Sequence, residues 1–350
     1  MVALIIISLF TYFFVSGADN PSIYHRNDNN ETKEQLVENA KIIVYQTNSG
    51  EKGELYFKSL TKILTAFEFD HSIRISPKQY PKIAIKVETE LAPGLHTAKK
   101  LLDSVLEILA SRGYKKQDIQ IFDRELDGLK SAGLISEDGM NSYKGYEILH
   151  SRNDKYFMAD WFHDSPLPPT SFDRAKFILQ YPSAPQRRII EERKSYLPAM
   201  LFEDAYWINL AIPMDDVFLG LDGAASNMSL GAISNHGRFT LKKTMAPATV
   251  AEVMAIPEIW DKRIFSILDF SNYQIANGQR FDSKYNEKEP RFYLSRNPFS
   301  LDYVAWGIIN KKRIKRGLRA REINNALLFR YANELGLGNP EDTVLKFQAQ

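Results

Sequence analysis

Cysteine is absent from all 350 residues, which removes disulfides, cysteine nucleophiles, thiolate zinc sites and cysteine-ligated iron–sulfur clusters at once. Any chemistry must come from oxygen, imidazole or amine groups. An excess of charge is lacking too. The 45 lysines and arginines stand against 43 aspartates and glutamates, and a formal charge of +2 supplies no field that would make nucleic acid or an anionic membrane the main partner. No Walker A sequence, Rossmann glycine triplet, HExxH or GxSxG occurs, so the common nucleotide-binding, zinc-protease and serine-hydrolase readings lack their residues.

What the chain does contain is apolar material, 44% of its residues, enough for one large domain or two closely packed ones. Residues 2–15, VALIIISLFTYFFV, form an uncharged apolar run followed by Ser16-Gly17-Ala18. The run is too short to span a bilayer comfortably, and the small residues Ser16 and Ala18 fit a signal-peptidase site before Asp19. The expectation is a signal peptide over 1–18, a polar linker over 19–40 and a single α/β domain over 41–350. The mature chain would be exported, to the periplasm or outside the cell, without membrane integration. The alternatives are an uncleaved N-terminal anchor or an N-terminal core strand.

AKIIVYQT reads as a first strand. In KIAIKVETE, Ile83, Ile85 and Val87 alternate with Ala84, Lys86 and Glu88, as in a strand. From Thr97 to Arg112, Leu101, Leu102, Val105, Leu106 and Leu109 recur at helical spacing up to Gly113, and DIQIFD supplies the next strand. Strand, helix and strand in this span predict a βαβ unit with a parallel pair. Residues 126–190 are rich in proline and aromatics without periodicity and read as an irregular insertion. Beyond them, YWINLAI, RIFSILDF and RFYLS predict strands, while 249–261, 299–312 and AREINNALLFRYANELG, ending at Gly336, predict helices. The fold class is α/β, a largely parallel or mixed sheet with helices on both faces.

Ligands of such a sheet lie beyond the carboxyl ends of its strands. That rule selects Lys86, Glu88, the turn Gly94-Leu95-His96-Thr97, Asp123, residues 215–227, Asp269 and residues 295–302. Gly94, His96 and Thr97 are candidates for holding a phosphate or carboxylate at a helix start, with Lys86 as countercharge; Thr97 as a plain N-cap is the alternative. Asp215, Asp216 and Asp269 are candidate ligands of Mg²⁺ or Ca²⁺, with solvated turn residues, Asp222-Gly223 among them, as the alternative. His236 is a candidate imidazole ligand or base. Lys86, Asp215 and Asp302 are the candidate catalytic groups and Asn227 a ligand contact, although strand-end carboxylates also cap backbone N–H groups. The expected partner is a small molecule. The other reading is an envelope protein that grips a protein partner through Trp161, Phe162, Tyr181 and Trp207. The basic run NKKRIKRGLRARE at 310–322 reads as a solvated helical face and connector.

Three blocks, IAIKVETELAPGLHTAKKLLDSVLEILASRGYKKQDIQIFD, EDAYWINLAIPMDDVFLGLDGAASNMSLGAI and IFSILDF with LSRNPFSLDYVAW, together resemble the bacterial and archaeal family known as domain of unknown function 362. The likeness covers most of residues 80–310. It implies an α/β domain with a pocket lined at these strand ends. Lys86, Pro298 and Asp302 are kept. The family's Pro-Asn after the lysine is Val87-Glu88 here, its lysine and histidine after the next strand give way to Met214, Asp215 and Asp216, its Lys-Asn is Ser226-Asn227, and its first signature aspartate is Asn297. Cationic positions have become neutral or acidic, so the resemblance implies a pocket recast for a cation or one that has lost its chemistry.

If residues 1–18 are a signal peptide, secreted material begins at Asp19. N-terminal sequencing of the exported protein checks this, and a mature form that starts at Met1 would overturn it.

Overall fold

The computed structural model describes residues 42–135, 140–164, 194–240, 245–322 and 326–347. The expected signal peptide, the linker, Tyr181 and the rest of the insertion from 165 to 190 lie outside the described residues.

The strands are β1 Ile42–Asn48, β2 Lys82–Val87, β3 Ile119–Phe122, β4 Ser142–Tyr143, β5 Tyr146–Leu149, β6 Phe157–Asp164, β7 Lys194–Pro198, β8 Ala205–Ala211, β9 Met214–Asp216, β10 Gly220–Asp222, β11 Arg263–Asp269, β12 Tyr273–Gln274, β13 Asn286–Glu287, β14 Arg291–Ser295 and β15 Thr343–Phe347. The helices are α1 Tyr56–Asp70, α2 Lys99–Ser111, α3 Leu126–Ser131, α4 Ala224–Met228, α5 Gly237–Thr240, α6 Met245–Met254, α7 Pro257–Trp260, α8 Pro298–Lys315 and α9 Leu327–Glu334. Nine strands form one mixed sheet in the order β15-β1-β14-β11-β8-β2-β3-β5-β4. Strands β11, β8, β2, β3 and β5 run parallel, and β14 and β4 are antiparallel to their neighbours.

Alternation along each strand separates two cores. Ile83, Ile85, Val87, Ile119, Ile121, Ile208 and Leu210 point to one face, where the apolar stripes of α1 and α2 cover them. Ala84, Phe122, Trp207, Ala211 and Leu268 point to the other, under α4, α6, α8 and α9. The expected α/β architecture with helices on both faces is therefore what the chain adopts. No helix among the described residues is long and apolar enough to cross a membrane.

Three features depart from the expectation. The described residues of 126–164 are not irregular throughout: α3 forms there, and β4 and β5 extend the main sheet at its edge, because Tyr146, Ile148 and Leu149 supply a buried strand pattern. The segment after YWINLAI does not continue as loop. Strands β9 and β10 pair with β12 and β13 in a separate four-stranded sheet. Helix α1 is not among the expected elements, although Tyr56, Leu60, Ile63, Leu64 and Phe67 recur at helical spacing and are buried.

The placement of the site follows from strand order. After β2 the chain adds β3 and β5 on one side; after β8 it adds β11 on the other. The order reverses between β2 and β8, which opens a crevice beyond their carboxyl ends.

Candidate functional site

Each central strand carries one polar residue on the face that α4 covers. Lys86, Asn209, Ser266 and Ser295 stand in register across β2, β8, β11 and β14, and all four are fully buried. Such a row is costly unless every group is bonded. The Lys86 ammonium donates to the Val87 carbonyl at 2.7 Å, the Asp123 carboxylate at 2.8 Å and the Asn227 side-chain carbonyl at 2.6 Å. The Asn227 amide donates to Asn209 at 2.8 Å, and Asn209 donates to the Ala224 carbonyl at 2.7 Å and to Ser266 at 3.3 Å. Asp123 also accepts from Thr89 at 2.5 Å and from the Arg124 N–H at 2.7 Å. Helix α4 is thereby seated on the polar row.

Its N-terminus is held from the other side. Both oxygens of Asp302, on α8, accept backbone N–H groups, from Ala224 at 2.6 Å and Ala225 at 2.9 Å. Residue 223 must be glycine for this approach, since a Cβ there would lie 2.4 Å from the Asp302 carboxylate. Burial pushes Asp302 up to about 7 against the pull of those two N–H groups.

Over α4 lies a cavity of about 230 Å³, far more than the roughly 10–15 Å³ that one water needs. Glu88 and Glu90 line it from the loop after β2, Asp216 from β9, Asp222 from β10, and Ser226 and Asn227 from α4. His236, Thr240 and Gln279 complete the polar lining, with Leu91, Met214, Leu219 and Leu230 as apolar wall. Glu88 is 6% exposed. Burial pushes it up to about 8 despite the Lys86 charge, with Asp123 and Asp222 adding to the rise. Asp222 is lifted to about 7, first by burial and then by Asp216 and Glu90, against the hydrogen bond from the Ser226 hydroxyl. Burial also raises Asp216, whose carboxylate accepts the Phe218 and Leu219 N–H groups at 2.6 and 2.7 Å. His236 is pushed down to about 3 by burial and the Arg124 charge, so its imidazole is neutral.

Of the sequence-derived candidates, the cavity gathers Glu88, Asp216, Asp222, Asn227 and His236. The others are elsewhere, for physical reasons. Lys86 does not line the cavity, and its three ammonium bonds leave no proton for a ligand; its role is to hold Asn227 and Asp123. Asp302 has both oxygens filled by α4. Asp215 is neither a free base nor a metal ligand: Arg321 takes both of its oxygens through Nε and Nη2, and Arg313 Nη1 approaches at 3.0 Å. Two members of the basic run, Arg313 and Arg321, thus turn inward instead of facing solvent. Asp269 accepts from Tyr56 at 2.5 Å and from the Ser271 hydroxyl at 2.8 Å, so the three supposed metal carboxylates share no site. Among the described residues no group of three or more His, Asp or Glu side chains has a metal-holding arrangement.

The turn before α2 is also outside the cavity. Thr97 neither caps α2, whose N-cap position is Ala98, nor lines the cavity; its hydroxyl accepts the Glu88 N–H at 2.7 Å and donates to the Leu210 carbonyl at 2.7 Å. His96 Nδ1 lies 2.9 Å from the Thr97 carbonyl, and Gly94 lies against the Phe281 ring, where a Cβ would sit 2.4 Å away. The strand-end rule had reached Glu88 and Asp222, but only the cavity marks them as the principal pair. Asn209 and Ser266 carried a quieter signal, a single polar residue inside an apolar strand.

Two measurements test this account. Lys86→Met leaves the Asp123 carboxylate buried and unpaired, at an expected cost of about 3–5 kcal/mol in urea unfolding; adding Asp123→Asn returns part of the loss. Glu88 binds its proton more tightly in the folded than in the unfolded chain, so its contribution to stability is present below its ordinary value of 4.5 and is lost as pH rises towards about 8. Glu88→Gln should therefore gain stability over wild type as pH rises through that window, by up to about 1.4 kcal/mol per pH unit. Parallel melting curves from pH 5 to 9 would contradict it.

No family model matches the chain, and neither curated proteins nor solved structures match it.

Proposed function

We propose that the chain binds a small molecule in the crevice between β2 and β8 and moves protons on it, with Glu88 and Asp222 as the acid–base pair. The observation that carries this reading is the pairing: two carboxylates raised by burial to near-neutral values, on one cavity, where the strand order reverses. A carboxyl whose value lies near neutrality can donate at one step and accept at another, which suits both groups to proton transfer. The neutral His236 supplies a further hydrogen bond, and the Asn227 amide is held in one orientation by Lys86 and Asn209. The family resemblance over residues 80–310 and the export inferred from residues 2–18 stay proposals of the sequence, and the crevice reading depends on neither.

A second reading, a non-catalytic binding protein, rests on the β6–β7 ribbon. There Trp161 stacks on Phe202 with ring centroids 4.5 Å apart and stays 38% exposed. Trp207 does not belong to that surface, because it is fully buried and its indole donates to the Ile259 carbonyl.

The test is a screen in D2O of small molecules with activated C–H positions for catalysed deuterium uptake. The expected result is a bell-shaped pH profile around neutrality, with Glu88→Gln and Asp222→Asn each lowering the rate by about 10²–10⁴-fold. Ligands that bind at the crevice without any catalysed exchange would move the protein to the binding role.

A further inference from the structure

We propose that the ligand of the crevice carries a protonated amine or amidine on an apolar stem. This deepens the crevice reading and rests on it. The polar wall is acidic from three sides: Glu88 and Glu90 from the loop after β2, Asp216 from β9 and Asp222 from β10. Among the described residues no lysine or arginine lines it.

The nearest cations are spent elsewhere. Lys86, behind Asn227, has three acceptors. Arg124 donates through Nε to Glu125 at 2.8 Å and through Nη1 to the Leu230 carbonyl at 2.6 Å, and its Nη2 sits 3.6 Å from Glu90 at the rim. His236 is neutral. Nothing in the described wall would balance an anionic ligand.

An independent observation points the same way. Glu88 is buried and lines the cavity, yet among the described residues it accepts one hydrogen bond, from the Glu90 N–H at 3.2 Å on one oxygen. Its second oxygen has no such partner. That oxygen opens on the cavity and is not sealed in the core, so a donor that enters the cavity, a ligand N–H among them, can reach it. The wall then supplies a stem: Leu91, Met214, Leu219 and Leu230 are alkyl surface. A compact organic cation fits this mixture of carboxylates and hydrocarbon.

The titratable and charged groups that face Glu88 are Lys86 and Asp123 beneath it, Glu90 on its own loop, and Asp222 and Asp216 across the cavity. Binding of a cation favours the ionised carboxylates, so affinity should rise with pH through the range where the pair loses its proton.

Three probes of one shape separate the possibilities: benzylamine, benzyl alcohol and benzoate, with Mg²⁺ as a fourth. Each is titrated against the whole protein carrying ¹³C-methyl methionine, and the Met214 methyl, assigned through Met214→Leu, reports occupancy of the cavity. Benzylamine is expected to shift Met214, to bind at least about tenfold more tightly than the other two aromatic probes, and to tighten from pH 6 to 8. Glu88→Gln with Asp222→Asn should weaken benzylamine by about 10–100-fold, the range of a charge-assisted hydrogen bond, and leave benzyl alcohol unchanged. Both substitutions keep the shape and remove a buried charge, so loss of fold does not explain that result. Benzoate or benzyl alcohol matching benzylamine at Met214, or an amine affinity indifferent to both carboxylates, overturns the amine proposal while the crevice stands. A Met214 response to Mg²⁺ but not to benzylamine replaces the organic cation with a metal. Silence of Met214 towards all four probes removes the crevice reading itself.

Discussion

The ammonium of Lys86 is the group on which the rest of the site depends. It lies in the middle of a sheet, with no exposure and apolar residues on either side along its strand. A charge in such surroundings survives only with close acceptors. The fold supplies them from three segments: the backbone of β2 itself, Asp123 at the end of β3, and Asn227 on α4. Meeting that demand ties a helix about 140 residues later in the chain to a specific point over the sheet. Once α4 is fixed, Ser226 and Asn227 face the cavity and Asp222, just before the helix, is brought under Ser226.

The crevice and its foundation therefore use the same chemistry in opposite ways. Below α4 every polar group is satisfied, and the row from Lys86 to Ser266 behaves as a structural joint. Above α4 the carboxylates are crowded, partly bonded and short of countercharge. Saturated networks rigidify, whereas unsaturated ones take up protons or ligands. A single short helix separates the two, and Lys86 lies on the saturated side of it.

The regular elements were readable from the sequence because periodicity reports burial. The alternation of KIAIKV, the leucine stripe ahead of Gly113 and the apolar runs YWINLAI and RIFSILD each mark an observed element. The strand-end rule located the right end of the sheet, and it reached Glu88, Asp216, Asp222 and Asn227. What it could not assign is which way each side chain faces. Asp215 and Asp216 are neighbours in the chain and point to opposite sides of β9, one into two arginines about 100 residues later in the chain, the other into the cavity. Partners that distant leave no local trace. Lys86 and Asp302 both adjoin α4 with their polar atoms already bonded, a state that residue type alone does not tell from that of an exposed group. The four-stranded second sheet escaped notice because its strands are two or three residues long, too short for any periodicity.

Asp302 closes this arrangement from the far end of the chain. The carboxylate that caps α4 arrives 78 residues after Ala224, on a helix that follows β11 and β14 in the chain. A nascent chain emerging N-terminus first would present Glu88, Asp222 and Ser226 well before the brace that orders them. A truncated chain ending before α8 would thus carry the carboxylates of the pocket without the brace that seats α4.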